Sequence, residues 1–206
     1  MKTFESLEEE KRQRILNAAL QEFAEKGFDE ASTNTIVKQA NIGKGMLFYY
    51  FKNKQTLYDY LVDYAITTVD EQYVQKIDMD NRDFIDRLQD TAKKKLACYN
   101  EYPHLFTFLG NVSLNEMTLL KKDLHDRMLS LQQLAQSKMY DNIDLTRFRA
   151  DVDVEKALQL MKWAIEGYQQ QLMQTFQAQS ITKIDFSPYW DEFDEYLAVL
   201  KTSFYA

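Results

Sequence analysis

Little in this 206-residue chain interrupts a helix, because it holds only 5 glycines and 2 prolines. Charged residues recur at helical spacing, so an all-α fold is the expectation. The single cysteine, Cys98, excludes an intrachain disulfide framework and fits a reducing, cytoplasmic setting. No apolar run approaches the ~20 residues that span a bilayer, and the N-terminus lacks a signal-peptide core. A soluble protein with no membrane partner is expected. Catalytic signatures are absent too: no glycine-rich phosphate loop, no Gly-x-Ser-x-Gly elbow and no His-Glu-x-x-His. Glu101-x-x-His104 has the spacing of one di-iron ligand pair, but Pro103 interrupts it, no second copy exists, and His125 is the sole other histidine. These absences predict no enzyme, no metal and no cofactor, with Cys98 a small buried apolar residue.

What is present is unevenly distributed. The formal net charge is -7, yet residues 1–54 hold nine Lys or Arg against eight Asp or Glu, and residues 55–206 hold sixteen against twenty-four. An acidic body is repelled by DNA, so this division points one small region at nucleic acid. The expected domains are 1–54 and 55–206.

The basic region centres on Ala31 to Lys54, ASTNTIVKQANIGKGMLFYYFKNK, with Lys38, Lys44, Lys52 and Lys54 and no acidic residue. It reads as two short helices, about Thr33 to Ala40 and Lys44 to Phe51, joined by Asn41, Ile42 and Gly43. Ser32 is expected to cap the first with its hydroxyl, and Asn41 to turn the chain in a left-handed conformation. Ile36, Ala40, Ile42, Leu47 and Phe51 can form the apolar seam between the helices. Gly45, Met46 and Tyr49 are left on the opposite arc, flanked by Phe48 and Tyr50. Aromatic residues beside lysines, with a glycine permitting close approach, suit a helix end placed in a DNA major groove.

Gly27-Phe28, Ile36-Val37, Ala40, Ile42, Lys44-Gly45, Leu47, Tyr49-Tyr50-Phe51, Lys52, Lys54 and Leu57 together resemble the N-terminal pattern of the tetracycline-repressor (TetR) family of bacterial transcription regulators. The resemblance covers roughly the first quarter of the chain. Asn41, Gly43 and Phe48 depart from it, and Phe48 lacks a hydroxyl that reaches a phosphate in the family. The resemblance implies a three-helix helix-turn-helix DNA-binding head, joined by a long helix to a helical-bundle ligand-binding and dimerisation domain. It also implies a homodimeric repressor released from a near-palindromic operator by a small-molecule effector. Within that reading Lys44, Met46 and Tyr49 read bases, Thr33, Tyr50 and Lys54 hold phosphates, Gly45 permits approach and Phe48 flanks the contact. The runner-up is a helical protein-interaction module that binds no DNA.

Elsewhere the apolar spacing predicts a first helix from about Glu8 to Lys26, stopped by Gly27, with Phe23 and Phe28 packed on the head. Lys11, Arg12 and Arg14 read equally as solubilising charge or phosphate contacts. Residues 1–10 fray unless Phe4 and Leu7 pack back. Further helices are expected from Gln55 to the region of Tyr73, from Asp80 or Asn81 to Pro103, and from Ser113 to Tyr140. Two more run from Asp153 to about Gln177 and from Ser187 to about Ser203. Soft and aromatic residues in the body suggest a pocket for an apolar or aromatic effector, with Tyr64, Tyr99, Phe106, Met117, Met128, Trp163 and Tyr168 as its candidates. Gly167, in mid-helix at a cost of about 1 kcal/mol relative to alanine, fits either a subunit crossing or intrachain packing.

Overall fold

Phe23, Ile36, Leu47, Tyr58, Leu61 and Phe108, each almost wholly removed from water, centre one hydrophobic core, while Phe84, Met161, Phe193 and Leu197 centre another. The computed structural model describes residues 3–176 and 187–206, with nine α-helices and no strand among them. They are α1 (Glu9–Glu30), α2 (Thr33–Gln39), α3 (Lys44–Phe51), α4 (Lys54–Gln72), α5 (Phe84–Glu101), α6 (Leu105–Asn111), α7 (Lys122–Tyr140), α8 (Val154–Phe176) and α9 (Ser187–Phe204). The two cores belong to two compact units. One is Met1–Lys76 with Ala97–Gln136, the other Ile77–Leu96 with Ser137–Ala206.

In the first unit α1 packs on α2, α4 and α6, so the helix-turn-helix rests on one long supporting helix. Gly27 breaks α1 with φ 68° and ψ 177°, a conformation essentially reserved to glycine. Phe4 is buried against Tyr50, Phe51 and Tyr60, which ties down the start of the chain. Asn53 caps α4 by accepting a hydrogen bond from the Thr56 amide at 2.8 Å.

Two helix boundaries differ from the expected ones. The stretch before α7 is not α-helical: residues Val112–Glu116 form a π-helical turn and Met117–Leu119 a 3-10 turn, and Leu120 is extended. Met117, Leu120 and Leu124 keep helical spacing across this change, which conceals it in the sequence. α5 starts at Phe84 rather than Asp80 or Asn81, because the buried Asp83 carboxylate accepts from the amides of Ile85 at 3.0 Å and Asp86 at 3.1 Å.

In the second unit Asp83 also accepts from the Tyr205 hydroxyl at 3.0 Å and pairs with Arg147 at 2.8 Å. Arg87, fully buried, donates to the carbonyls of Met79, Asn81, Lys138, Met139 and Asp141, so its charge faces the C-terminal end of α7. The apolar face of α8 divides in two. Ala157, Met161 and Ile165 are buried, whereas Leu160, Trp163, Ala164 and Gly167 are exposed. The expected end of that helix at about Gln177 lies outside the described residues.

Candidate nucleic-acid interface

The turn between α2 and α3 is built as the sequence suggests. Asn41 takes φ 52°, its amide bonds to the Lys38 carbonyl at 3.2 Å, and the Ile42 amide bonds to the Val37 carbonyl at 3.0 Å. This paired closure satisfies the last carbonyls of α2 and sends the chain straight into α3. Ser32 corrects one expectation: its side chain makes no capping bond. Its amide instead donates to the buried Glu22 carboxylate at 2.8 Å, so α1 supplies the acceptor that fixes the start of α2.

Ile36, Ala40, Leu47 and Phe51 are buried, and Ile42 packs partly against them, so the seam holds α3 in one orientation. That orientation turns Lys44, Gly45 and Tyr49 outward, with Tyr49 51% exposed. Met46 and Phe48 are half-buried beside them, and the Lys44 ammonium stands 5.9 Å from the Phe48 ring centre. A Cβ added at Gly45 would meet no atom of the protein within 4 Å. Thr33 is half-buried in the first turn of α2. Tyr50 is half-buried and packs edge-on against Phe4.

Lys54 is already engaged. Its ammonium donates to the carbonyls of Asp29 at 3.1 Å and Ala31 at 3.2 Å, and lies 4.8 Å over the Phe28 ring. Two of its three protons therefore close the loop after α1. Arg12 and Arg14 are paired with Glu9 and Glu10.

A contact that no sequence pattern marks holds the head in place. Glu116, on the π-helical turn, accepts from the Phe28 amide at 2.6 Å with one oxygen and from the Tyr58 hydroxyl with the other. Burial first, and then this hydrogen bond, push the Tyr58 hydroxyl far above its usual range. Asn111 of α6 also donates to the Ala24 carbonyl. The head is thus gripped at the Gly27 break by polar bonds from the segment that follows α6. No short-range pattern announces a contact 88 residues apart.

The residues expected around an effector are divided between the two units. Tyr64, Tyr99, Phe106 and Met117 are half-buried and Met128 is buried, all in the first unit, where Tyr99 stacks on Phe106 at 5.9 Å. Tyr168 belongs to the second unit, stacked on Phe193 and donating to Glu192 at 3.0 Å. Trp163 belongs to the second unit as well. It is 60% exposed on α8, because the apolar face of that helix is wider than its neighbours among the described residues cover. An open groove of about 280 Å³ in the first unit is lined by none of the seven; Ile66, Thr67, Asp70, Arg127, Leu131 and Leu134 are among its walls. Gly167 is exposed with nothing within 4 Å, so intrachain packing among the described residues does not account for it. Cys98 is buried, and burial pushes its thiol up. Among the described residues no helix is long and apolar enough to cross a membrane, and no three His, Cys, Asp or Glu could share a metal ion.

Two short helices joined at a tight turn put this head in the class of helix-turn-helix proteins. The sequence profile described as "Bacterial regulatory proteins, tetR family" matches residues 15–61, which run from α1 into α4. The chain is 31% identical over 119 residues to the fatty acid metabolism regulator protein of Bacillus subtilis, a stretch that is 58% of this chain and 55% of that relative. It is 26% identical over 165 residues to an HTH-type transcriptional regulator of Staphylococcus aureus, covering 68% of this chain and 89% of the relative. A TetR family transcriptional regulator of Chloroflexus aurantiacus has the same fold at a TM-score of 0.67 and 19% identity, over 98% of this chain and 97% of the other. Residues 15–61 are thus similar in sequence to the tetR family of bacterial regulatory proteins, and the described residues share the fold of a TetR family transcriptional regulator.

Proposed function

We propose that this protein is a ligand-responsive transcriptional repressor that binds a near-palindromic operator as a homodimer in the cytoplasm. The observation that carries the reading is Gly45, a helical glycine at the outward tip of α3 whose missing side chain relieves nothing inside the protein. Glycine within a helix costs about 1 kcal/mol, so its use there is explained by a partner that must come close. Lys44, Met46 and Tyr49 face that partner's base edges. Thr33, Tyr50 and the remaining proton of Lys54 hold phosphates, with Phe48 supporting Lys44.

A second copy of the chain is supported by the outer side of α8 and α9, where Leu160, Trp163, Tyr196 and Val199 are about half exposed or more beside the open Gly167. Large apolar side chains in a row, with a glycine among them, suit a close helix crossing between subunits. Two heads paired in this way would read half-sites about one helical turn apart. An apolar or aromatic effector taken up among Tyr64, Tyr99, Phe106, Met117 and Met128 would favour one arrangement of the heads, and the Bacillus relative's name, a fatty acid metabolism regulator, agrees with an apolar ligand. A coupling of about 1 to 3 kcal/mol would suffice to release DNA.

The test is binding of the purified protein to the DNA flanking its own gene across a salt series. A complex with 6–10 phosphate contacts weakens about 10³- to 10⁵-fold between 50 and 200 mM salt. Retention unaffected by salt, or no fragment retained, would remove the reading.

A further inference from the structure

The chemistry that α3 can offer a base edge is unusually narrow. Its sequence, KGMLFYYF, contains no Arg, Asn, Gln, Ser, Thr, Asp or Glu. The side chains that pair bidentately with adenine, and the carboxylates that accept from cytosine, are therefore missing; the polar groups left are the Lys44 ammonium and the Tyr49 and Tyr50 hydroxyls, each able to make a single contact, and only the lysine carries a charge to the acceptors of guanine. Leu47 and Phe51 are buried in the seam and are out of reach. Beyond these polar tips the helix offers the bare backbone at Gly45, the half-buried Met46 thioether and the Tyr49 ring, held edge-on against Tyr50 at 5.0 Å. The polar exposed residues of α2, Asn34, Lys38 and Gln39, lie on the helix that in this motif crosses the backbone rather than entering the groove. In the major groove the one apolar feature that distinguishes base pairs is the C5 methyl of thymine.

We propose that α3 reads its operator through thymine methyl groups, with Met46 and the Tyr49 ring as the apolar contacts and Gly45 bringing the helix near enough for them to touch. This rests on the DNA-binding reading above and names what that site recognises. The half-sites should hold thymine at the positions facing Met46 and Tyr49, with at most one guanine contact, from Lys44.

The experiment starts from duplexes that the full chain selects out of a randomised library. Each thymine of the selected half-site is then replaced by deoxyuridine, which keeps every hydrogen-bonding atom and removes only the methyl. Burial of one methyl group corresponds to about a fourfold change in affinity. A loss of about that size is expected at one or more thymines in each half-site. In Met46→Ala the loss at the position facing residue 46 should vanish, which a general weakening of the protein would not produce. If duplexes are selected and bound in a salt-dependent way, yet full replacement of thymine by uracil leaves affinity unchanged, the thymine proposal falls and DNA binding stands. If no duplex is selected, both fall.

Discussion

Gly27 and Gly45 sit in the same unit of the protein and answer to opposite demands. A Cβ at Gly27 would lie 2.8 Å from a Glu116 carboxylate oxygen, on a backbone with φ 68°, so this glycine is required by the fold itself. At Gly45 a Cβ would meet nothing, on an ordinary helical backbone, so the fold would be better served by alanine. Under the proposed function, the difference separates a residue kept for the protein from one kept for its partner. Gly167 is equally open on α8, and the proposed dimer puts it in the second group.

The comparison is tested most strongly at Gly27. Gly27→Ala combines a left-handed backbone with a displaced carboxylate and should cost about 3 kcal/mol of stability in the first unit, read as a fall in Tm. An unchanged Tm would mean that the α1 break does not depend on glycine. Glu116→Ala follows at about 2 to 3 kcal/mol, because the Phe28 amide and the Tyr58 hydroxyl both lose an acceptor. Glu116→Gln keeps one acceptor oxygen and should recover part of that loss; equal damage from both variants would argue against hydrogen bonding as the cause.

The second unit has its own anchor, with a pH dependence of definite sign. Burial raises the Asp83 carboxyl, but the backbone bond from Asp86, the Tyr205 hydroxyl and the charges of Lys201 and Arg147 outweigh it, leaving the group below the ordinary carboxylate value. A depressed pKa contributes stability that is present above the unfolded value, about pH 4, and is lost as pH falls through the folded value. Asp83→Asn should therefore destabilise the protein by about 2 kcal/mol at neutral pH and flatten its acid unfolding curve. Parallel acid curves for the two proteins would exclude Asp83 as the titrating group. Gly167→Ala is the mildest change, a gain of about 1 kcal/mol in helix stability together with a weaker dimer, measured by sedimentation. A dimer unaffected by it would place the subunit contact elsewhere.

The head was legible because its signals are local. Apolar residues four apart define the seam, Asn41 supplies the left-handed turn, and lysines without acidic neighbours mark the outer face. The grip on the head was not legible, since Glu116 is far from Phe28 in sequence and acts on a backbone amide, which carries no residue-type signature. Ser32 misled for a related reason: the hydroxyl is at the usual capping position, but the buried Glu22 carboxylate reaches its amide from α1. The π-helical turn was hidden by unbroken spacing through Met117, Leu120 and Leu124. Trp163 shows the limit for a pocket, because aromatic content says that a side chain needs cover and not which neighbour provides it.

The most direct measurement is Gly45→Ala followed in two assays on one preparation. Tm should rise slightly, by an amount equivalent to about 0.5 to 1 kcal/mol, while affinity for the selected operator falls about tenfold or more. Operator affinity unchanged alongside that rise in Tm would contradict the assignment of the α3 tip as the surface that meets DNA.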